Sequence, residues 1–462
     1  MKSTKLIAFF TSIIVLFSLI SATACSAKNS VTDDSENIKL GDVNFDATLN
    51  VLDVTLIRAY IVQNISFDEK QIIAGDINSD TVVDISDVVK LRYAVVNVLS
   101  LGFVSYKDST TSVTTTITTP NENSDDVSKR IYVNGTKFMV GEKEIWINGA
   151  NTPWDNWNDF GGDFDYEFWD SHFADLHDGG INATRVWISC NGDVGMNFDS
   201  DGYFTGATDQ YWEDLGDLFE IAEKHEVYIM ATLMSFDHFK NKTKTYWRNM
   251  LQDSAKIDSY VDNFVKPLLE KHGDNEYLWS IDLCNEPDWI YENKECGKID
   301  WKYISEYFAR ATAAIHENSD VLVTVGIAYI KYNSDRSGCE GNKVSDSYLQ
   351  SLYNNPNAYL DFYSTHYYSW MKQWYGDPFE MSSIKEYGVD NDRPFVMGET
   401  AAVGAGHTLL EEYEAAYKNG WNGIMAWKTS GQSDGCGLLP DTIKATVPMA
   451  NKLNDLVFPY GK

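Results

Sequence analysis

The chain has 462 residues, room for more than one domain and for one large core. Its 68 acidic against 37 basic side chains give a formal charge of −31, which argues against nucleic acid or an anionic membrane surface as partner. Aromatic residues make up 14%, with 14 Trp and 27 Tyr. Most serve a core, and an excess of flat, half-exposed rings also suits a carbohydrate-binding cleft.

Residues 1–24 are expected to be a secretion signal. Lys2 and Lys5 supply the basic end, Leu6 to Ile20 the apolar run, and Ala22-Thr23-Ala24 a small-residue cleavage site. The run is too short to span a membrane, so an extracellular protein with no membrane span is expected. Cys25, directly after the cleavage site, offers a second reading as a lipid-modified cysteine; Ala22, where Leu is usual, stands against it. The six cysteines form no disulfide framework. Cys190 and Cys284 read as small buried hydrophobes, Cys296 and Cys339 could pair across successive loops, and Cys436 would then be free.

Between residues 38 and 102 one unit occurs twice. Asp42, Asn44, Asp46, Asn50 and Asp53 recur as Asp76, Asn78, Asp80, Asp84 and Asp87, at loop positions 1, 3, 5, 9 and 12. Thr48 and Val82 would each add a backbone carbonyl at position 7, completing the oxygen spacing that wraps Ca²⁺. Each loop leads into a predicted amphipathic helix, Val54–Val62 and Val88–Leu99. Two features depart from the general EF-hand: Asp at position 12, and Ala47 or Thr81 where Gly is usual at position 6. With these features the pair resembles a type I dockerin, a small all-α module. The resemblance implies two bound Ca²⁺ ions and, as partner, a cohesin domain on the scaffold protein of a cellulosome. In that family the residues at positions 10 and 11 help choose the partner; here they are Val51-Leu52 and Ile85-Ser86. Residues 105–128, Ser/Thr-rich and then Asn/Asp-rich, hold almost nothing to bury and read as linker.

From residue 130 to 462, short apolar strands alternate with amphipathic helices. After a hairpin at 131–140, strands are predicted at 145–148, 183–188, 227–232, 278–283, 321–325, 362–365, 395–397 and 423–426. Helices are predicted at 168–178, 211–224, 255–271, 301–317, 345–353, 382–387, 409–419 and 443–456. Eight β/α units predict an α/β fold, a (β/α)₈ TIM barrel, whose strand C-termini face one mouth.

At that mouth strand four breaks off at Asn285-Glu286-Pro287. Strand seven ends at Gly398-Glu399, with the glycine allowing close backbone approach. Two strand-terminal glutamates are the minimum equipment for cleaving a glycosidic bond. Arg185 lies inside strand two and requires an anionic partner: a structural Asp, or Glu399, whose pKa it would lower. Strand six ends at His366-Tyr367-Tyr368 and strand eight at Trp427. Asn151 and Trp154 follow strand one, and Trp289, Trp370 and Trp374 sit in other mouth loops. Each ring alone suits packing; together they suit an open groove for a chain.

This set resembles glycoside hydrolase family 5 across essentially the whole module. The resemblance implies Glu286 as acid/base, Glu399 as nucleophile and Asn285 as hydrogen-bond partner of a sugar 2-OH. His366 and Tyr368 would orient the carboxylates, Trp427 would stack under the sugar being cleaved, and His238 is the candidate for the family's His after strand three. It also implies carboxyl groups about 5–5.5 Å apart and retained anomeric configuration. The wording of strands one to three resembles the family's bacterial β-mannanases more than its cellulases. The expectation is therefore a secreted endo-β-1,4-mannanase acting on mannan or glucomannan, with no cofactor needed for catalysis. The alternatives are a β-1,4-glucanase of the same family, and a barrel that only binds polysaccharide, against which the presence of both glutamates stands.

Overall fold

The computed structural model describes residues 36–46, 48–49, 53, 56–57, 60–61, 66–77, 83, 91, 103–106 and 128–461 apart from 391 and 405. The chain divides into two compact units at residues 123 and 124. The expected signal, Cys25, Asn50 of the first loop and Asn78, Asp80, Val82, Asp84 and Asp87 of the second lie outside the described residues.

In the first unit, the first loop folds around its own oxygens. Asp46 N–H donates to Asp42 Oδ1 (3.1 Å) and Asn44 Oδ1 (2.9 Å), and Thr48 N–H donates to Asp46 Oδ1 (2.8 Å). Such side-chain turns bend a short loop sharply enough to converge its carboxylates. Asp53 is helical, as are Leu56, Ile57, Tyr60 and Ile61, in register with the expected first helix. A further helix, Glu69–Gly75, was not anticipated; Asp68 and Gln71 form its capping box, and Gln71 Nε2 reaches back to Val43 O (3.0 Å). Ile38, Val43, Ile57, Ala74, Ile77 and Leu91 make the small core. An antiparallel pair, Glu36–Lys39 with Phe103–Tyr106, adds two strands to the unit expected to be all-α and takes Ser105 and Tyr106 out of the stretch read as linker.

In the second unit, eight parallel strands close into a barrel: β1 (Ile147–Asn151), β2 (Ala183–Trp187), β3 (Tyr228–Thr232), β4 (Leu278–Asn285), β5 (Leu322–Ile327), β6 (Tyr363–His366), β7 (Phe395–Ala401) and β8 (Gly423–Trp427). Every residue of these strands is buried, as parallel strands covered on both faces require. The outer helices are α1 (Tyr166–Asp178), α2 (Asp209–His225), α3 (Lys266–His272, preceded by helical Ser254–Tyr260 and a wide turn Val261–Val265), α4 (Trp301–Asn318), α5 (Asp346–Leu352), α6 (Ile384–Tyr387), α7 (Leu409–Asn419) and α8 (Leu439–Lys452).

The run expected as strand one is split. Lys143–Ile145 completes a three-stranded antiparallel cover with Ile131–Asn134 and Lys137–Val140, and the barrel strand begins at Ile147. Trp146 turns the chain between them, its N–H on Leu456 O (2.9 Å) and its indole on Trp421 O (2.8 Å). Phe138 of the cover packs edge-on against Trp279 and Phe362, at the foot of β4 and β6. Mouth elements that were not foreseen include the hairpin Met196–Phe198/Phe204–Ala207 and the helices Lys244–Leu251, Asp288–Glu292 and Lys372–Tyr375. Cys296 and Cys339 do not pair: the five described cysteines are free thiols. Among the described residues, no helix is long and apolar enough to cross a membrane.

Candidate active site

The mouth is organised around Arg185, in the middle of β2 and fully buried. Each of its five N–H bonds meets an acceptor. Nε donates to Asp282 Oδ2 (2.9 Å), and Nη2 to Asp282 Oδ2 (2.7 Å) and Asn285 Oδ1 (2.8 Å). Nη1 donates to Asn151 Oδ1 (3.1 Å) and Glu399 Oε1 (2.7 Å). The two partners left open by the sequence, a structural Asp and Glu399, are therefore both present. Asp282 is itself held by Thr232 Oγ1 (3.0 Å) and by the backbone N–H groups of Gly326 (2.8 Å) and Cys284 (3.2 Å). Such a buried ion pair is tolerable only because its remaining hydrogen-bonding capacity is filled.

The two glutamates sit in different shells. Glu399 Oε2 accepts from the Tyr368 hydroxyl (2.7 Å) while Oε1 accepts from Arg185, so both oxygens face donors. Glu286 Oε2 accepts from the Trp289 indole (3.0 Å), and Oε1 lies 3.0 Å from His366 Nδ1. The same nitrogen is 3.4 Å from Glu399 Oε2. One oxygen of each glutamate and a ring nitrogen of His366 all lie within 4.8 Å of one another. His366 Nε2 is buried without a hydrogen-bond partner, which favours the proton on Nδ1, where it is shared with the carboxylates.

Burial is the first cause of every shift here. It pushes Glu286 up to about 7, against the Trp289 hydrogen bond and the Arg185 charge. It also pushes Glu399 upward, opposed by His366, Arg185 and the Tyr368 hydroxyl. Arg185 thus pulls on Glu399 in the expected sense, but burial outweighs it. His366 is driven down to about 4 and stays neutral near pH 7.

Local backbone fixes these positions. Glu286 has φ +48°, a left-handed conformation costing a non-glycine residue about 1–3 kcal/mol. It is held by Glu286 N–H on Gly326 O (2.8 Å) and Asn285 N–H on Met234 O (2.8 Å). A Cβ on Gly398 would meet Ser364 Oγ at 2.4 Å and the His366 ring at 3.1 Å, so the close approach expected there is made to these side chains. A Cβ on Gly326 would crowd His366, Arg185 and Asp282 alike.

Trp427 lies on the opposite side of the mouth from Glu286. Its indole donates to Asp434 Oδ2 (2.8 Å), and its ring is 5.7 Å from Trp187 and 5.9 Å from Trp154. Lys428 Nζ lies 3.4 Å from Asp434 and 5.0 Å above the Trp154 ring. Asn151 is fully buried, its amide nitrogen on Gly398 O (3.0 Å), and so supports the site from beneath. His238 is not part of the constellation. It is fully buried, with Nε2 on Ser189 Oγ (3.0 Å) and Nδ1 against Ser235 (3.1 Å), leaving no nitrogen for a sugar.

Sequence reasoning missed Asp282 and the Trp289 indole donor. An acid inside the apolar β4 run was the available signal for the first; an aromatic just beyond Asn-Glu-Pro carries none without coordinates. A second cluster, Asp377, Glu380 and His407, joins the loops after β6 and β7, but Lys372 Nζ already supplies its positive charge, 2.6 Å from Glu380.

Residues 40–95 match the model of the dockerin type I domain. A mannan endo-1,4-beta-mannosidase of Mytilus edulis is 26% identical over 336 residues, covering 64% of this chain and 87% of its own length. One from Cryptopygus antarcticus is 27% identical over 338 residues, covering 66% and 86%. The solved β-mannanase of Mytilus edulis superposes with TM-score 0.63 at 24% identity, over 71% of this chain and 98% of that one. The β-1,4-D-mannanase of Cryptopygus antarcticus gives 0.62 at 24%, over 69% and 94%. This chain thus joins a segment matching the type I dockerin to a closed (β/α)₈ barrel with the fold of these structures.

Proposed function

We propose that residues 130–462 are a retaining endo-β-1,4-mannanase, exported by the signal at 1–24 and anchored to a scaffold through the dockerin at 38–102. The observation that carries the catalytic reading is the pair of carboxyl groups, one oxygen of each within 4.8 Å of the other, in unlike surroundings. That spacing suits double displacement; inversion needs room for a water between them, about 6.5–9.5 Å.

In the first step Glu399 attacks the anomeric carbon while Glu286 gives its proton to the departing glycosidic oxygen. A neutral acid is available near pH 7 because burial raises Glu286 to about 7. Arg185 and Tyr368 offer Glu399 only donors, the shell that suits a carboxylate nucleophile. In the second step Glu286 takes a proton from water, which releases the sugar from Glu399. Neutral His366 turns Nδ1 to both carboxylates, 3.0 Å from Glu286 Oε1 and 3.4 Å from Glu399 Oε2, and so orients the pair. Trp427 would stack under the sugar at the point of cleavage, and Asn285, oriented by Arg185, would hold its 2-OH.

Mannan as substrate rests on the names of the relatives and on the strand wording. Ca²⁺ belongs to the dockerin, where Asp42, Asn44, Asp46 and Asp53 supply its side-chain oxygens in the first loop, and a cohesin is its partner. Reducing-end release from linear mannan, glucomannan and cellulose, with Glu399→Ala as blank, tests the reading. Release from pure mannan that is lost in the variant is expected. Activity on glucan alone would overturn the specificity, and no release from any of them would leave a binding barrel.

A further inference from the structure

Two residues beyond the acid stands a carboxyl group for which the double displacement gives no role. Asp288 is fully buried, and both of its oxygens are used: Oδ2 accepts from Ala328 N–H (2.9 Å) and Oδ1 from Tyr329 N–H (3.0 Å). Both N–H groups lie just past the end of β5 at Ile327, where the ladder to β6 has stopped supplying acceptors.

The same end of β5 holds the backbone of the acid, since Glu286 N–H donates to Gly326 O (2.8 Å). The segment 286–288 is therefore tied to residues 326–329 twice, at its start by a backbone bond and at its finish by the Asp288 carboxyl group. Pro287, between the ties, has a ring-locked φ of −60° and no N–H. Glu286, at φ +48°, is the residue the two ties hold in the left-handed region. Trp289 comes next in the chain. Its indole is on Glu286 Oε2 (3.0 Å), and its ring lies 5.5 Å from that of Tyr329, whose N–H Asp288 holds. One side chain thus steadies the acid through its backbone and through its hydrogen-bond donor.

We infer that Asp288 is a positioning residue for the general acid: it keeps Glu286 aimed at the departing oxygen and takes no part in the attack by Glu399. Glu399 is held independently, by Arg185 from β2 and by Tyr368 beyond β6. The inference rests on the glycosidase reading of Glu286 and Glu399.

The test sets two leaving groups against each other in the full chain and its Asp288→Asn and Asp288→Ser variants. Asn keeps the shape but turns its NH₂ toward one of the two N–H donors, and Ser is too short to reach both. In mannohexaose the glycosidic oxygen takes a proton from Glu286 as its bond to the anomeric carbon breaks. In 2,4-dinitrophenyl β-mannobioside the phenolate leaves with the bonding electron pair and needs no proton, while Glu399 forms the same glycosyl ester. For both substrates kcat/KM reports this first step. The variants should lose about tenfold to a hundredfold in kcat/KM on mannohexaose, the cost of an acid displaced by up to about 1 Å, and stay within about twofold on the aryl glycoside. The ratio of the two values does not depend on how much of a variant is folded, so it holds even where the melting temperature falls. Equal losses on both substrates, or no loss on either, would overturn the inference and leave Asp288 a structural tie. A wild type that cleaves neither these nor the matching β-cellobiosyl substrates would overturn the glycosidase reading itself.

Discussion

Replacing Tyr368 by Phe removes one oxygen and tests how the nucleophile is kept ionised. The hydroxyl donates to Glu399 Oε2 at 2.7 Å, and a hydrogen bond to a charged group contributes about 1.5–3 kcal/mol. Without it the carboxylate loses that stabilisation and the protonated form does not, so the pKa of Glu399 must rise. At about 1.4 kcal/mol per factor of ten, that loss shifts the balance toward the protonated carboxyl roughly tenfold or more. Burial already holds Glu399 above the ordinary range, and Glu286 titrates at about 7. The active form needs Glu399 ionised and Glu286 protonated, so the acid limb climbs toward the basic limb and the bell narrows. The assay is kcat/KM against pH on a soluble mannan, from pH 4 to 9, with the melting temperature as control for the fold. The acid limb should move up, the maximum should drop roughly tenfold or more, and the basic limb should stay, since Tyr368 donates nothing to Glu286. An acid limb that stays put or moves down in a folded variant would refute this account.

Glu286→Gln should cost about 10²–10⁴ in turnover on the polysaccharide and erase the basic limb near pH 7, because the group whose proton is lost with rising pH is gone; a surviving limb would assign it elsewhere. Arg185→Lys keeps the charge but offers three donors where five are used, so activity should fall steeply and the melting temperature should drop, read by calorimetry beside the rate assay. Gly398→Ala should displace His366 and lower kcat more than it raises KM, since its Cβ would sit 2.4 Å from Ser364 Oγ. Excess EDTA should abolish cohesin binding and leave mannan hydrolysis unchanged, measured on one preparation by pull-down and reducing-end assay.

What could be read before any coordinates was whatever a parallel barrel forces. All strand C-termini share one mouth, so Arg185, Glu286, His366, Tyr368 and Glu399 could be brought together from their places on the strands alone. Facing is harder. Asp282 sits in a run buried on both sides, where alternation is absent and nothing tells an inward acid from an outward one. His238 looked available because it follows β3, but Phe236–Phe239 forms a short helical turn that Ser235 caps with the help of His238 itself. The split at Trp146 was hidden because the apolar pattern continues through it. The backbone bond to Leu456 and the indole bond to Trp421, both to residues far along the chain, mark where cover gives way to barrel. The net direction of the Glu399 shift needed atoms too, since burial and an adjacent guanidinium act oppositely.

The five free thiols bear on how the barrel reaches its native state. Cys190, Cys284 and Cys296 are packed as small apolar side chains, and neither they nor Cys339 and Cys436 are joined. In the barrel no chain crossing waits for oxidation, and no isomerase is needed to sort pairings. Reductant in the medium should therefore change neither yield nor activity, and the barrel should mature as well in a reducing compartment as outside the cell.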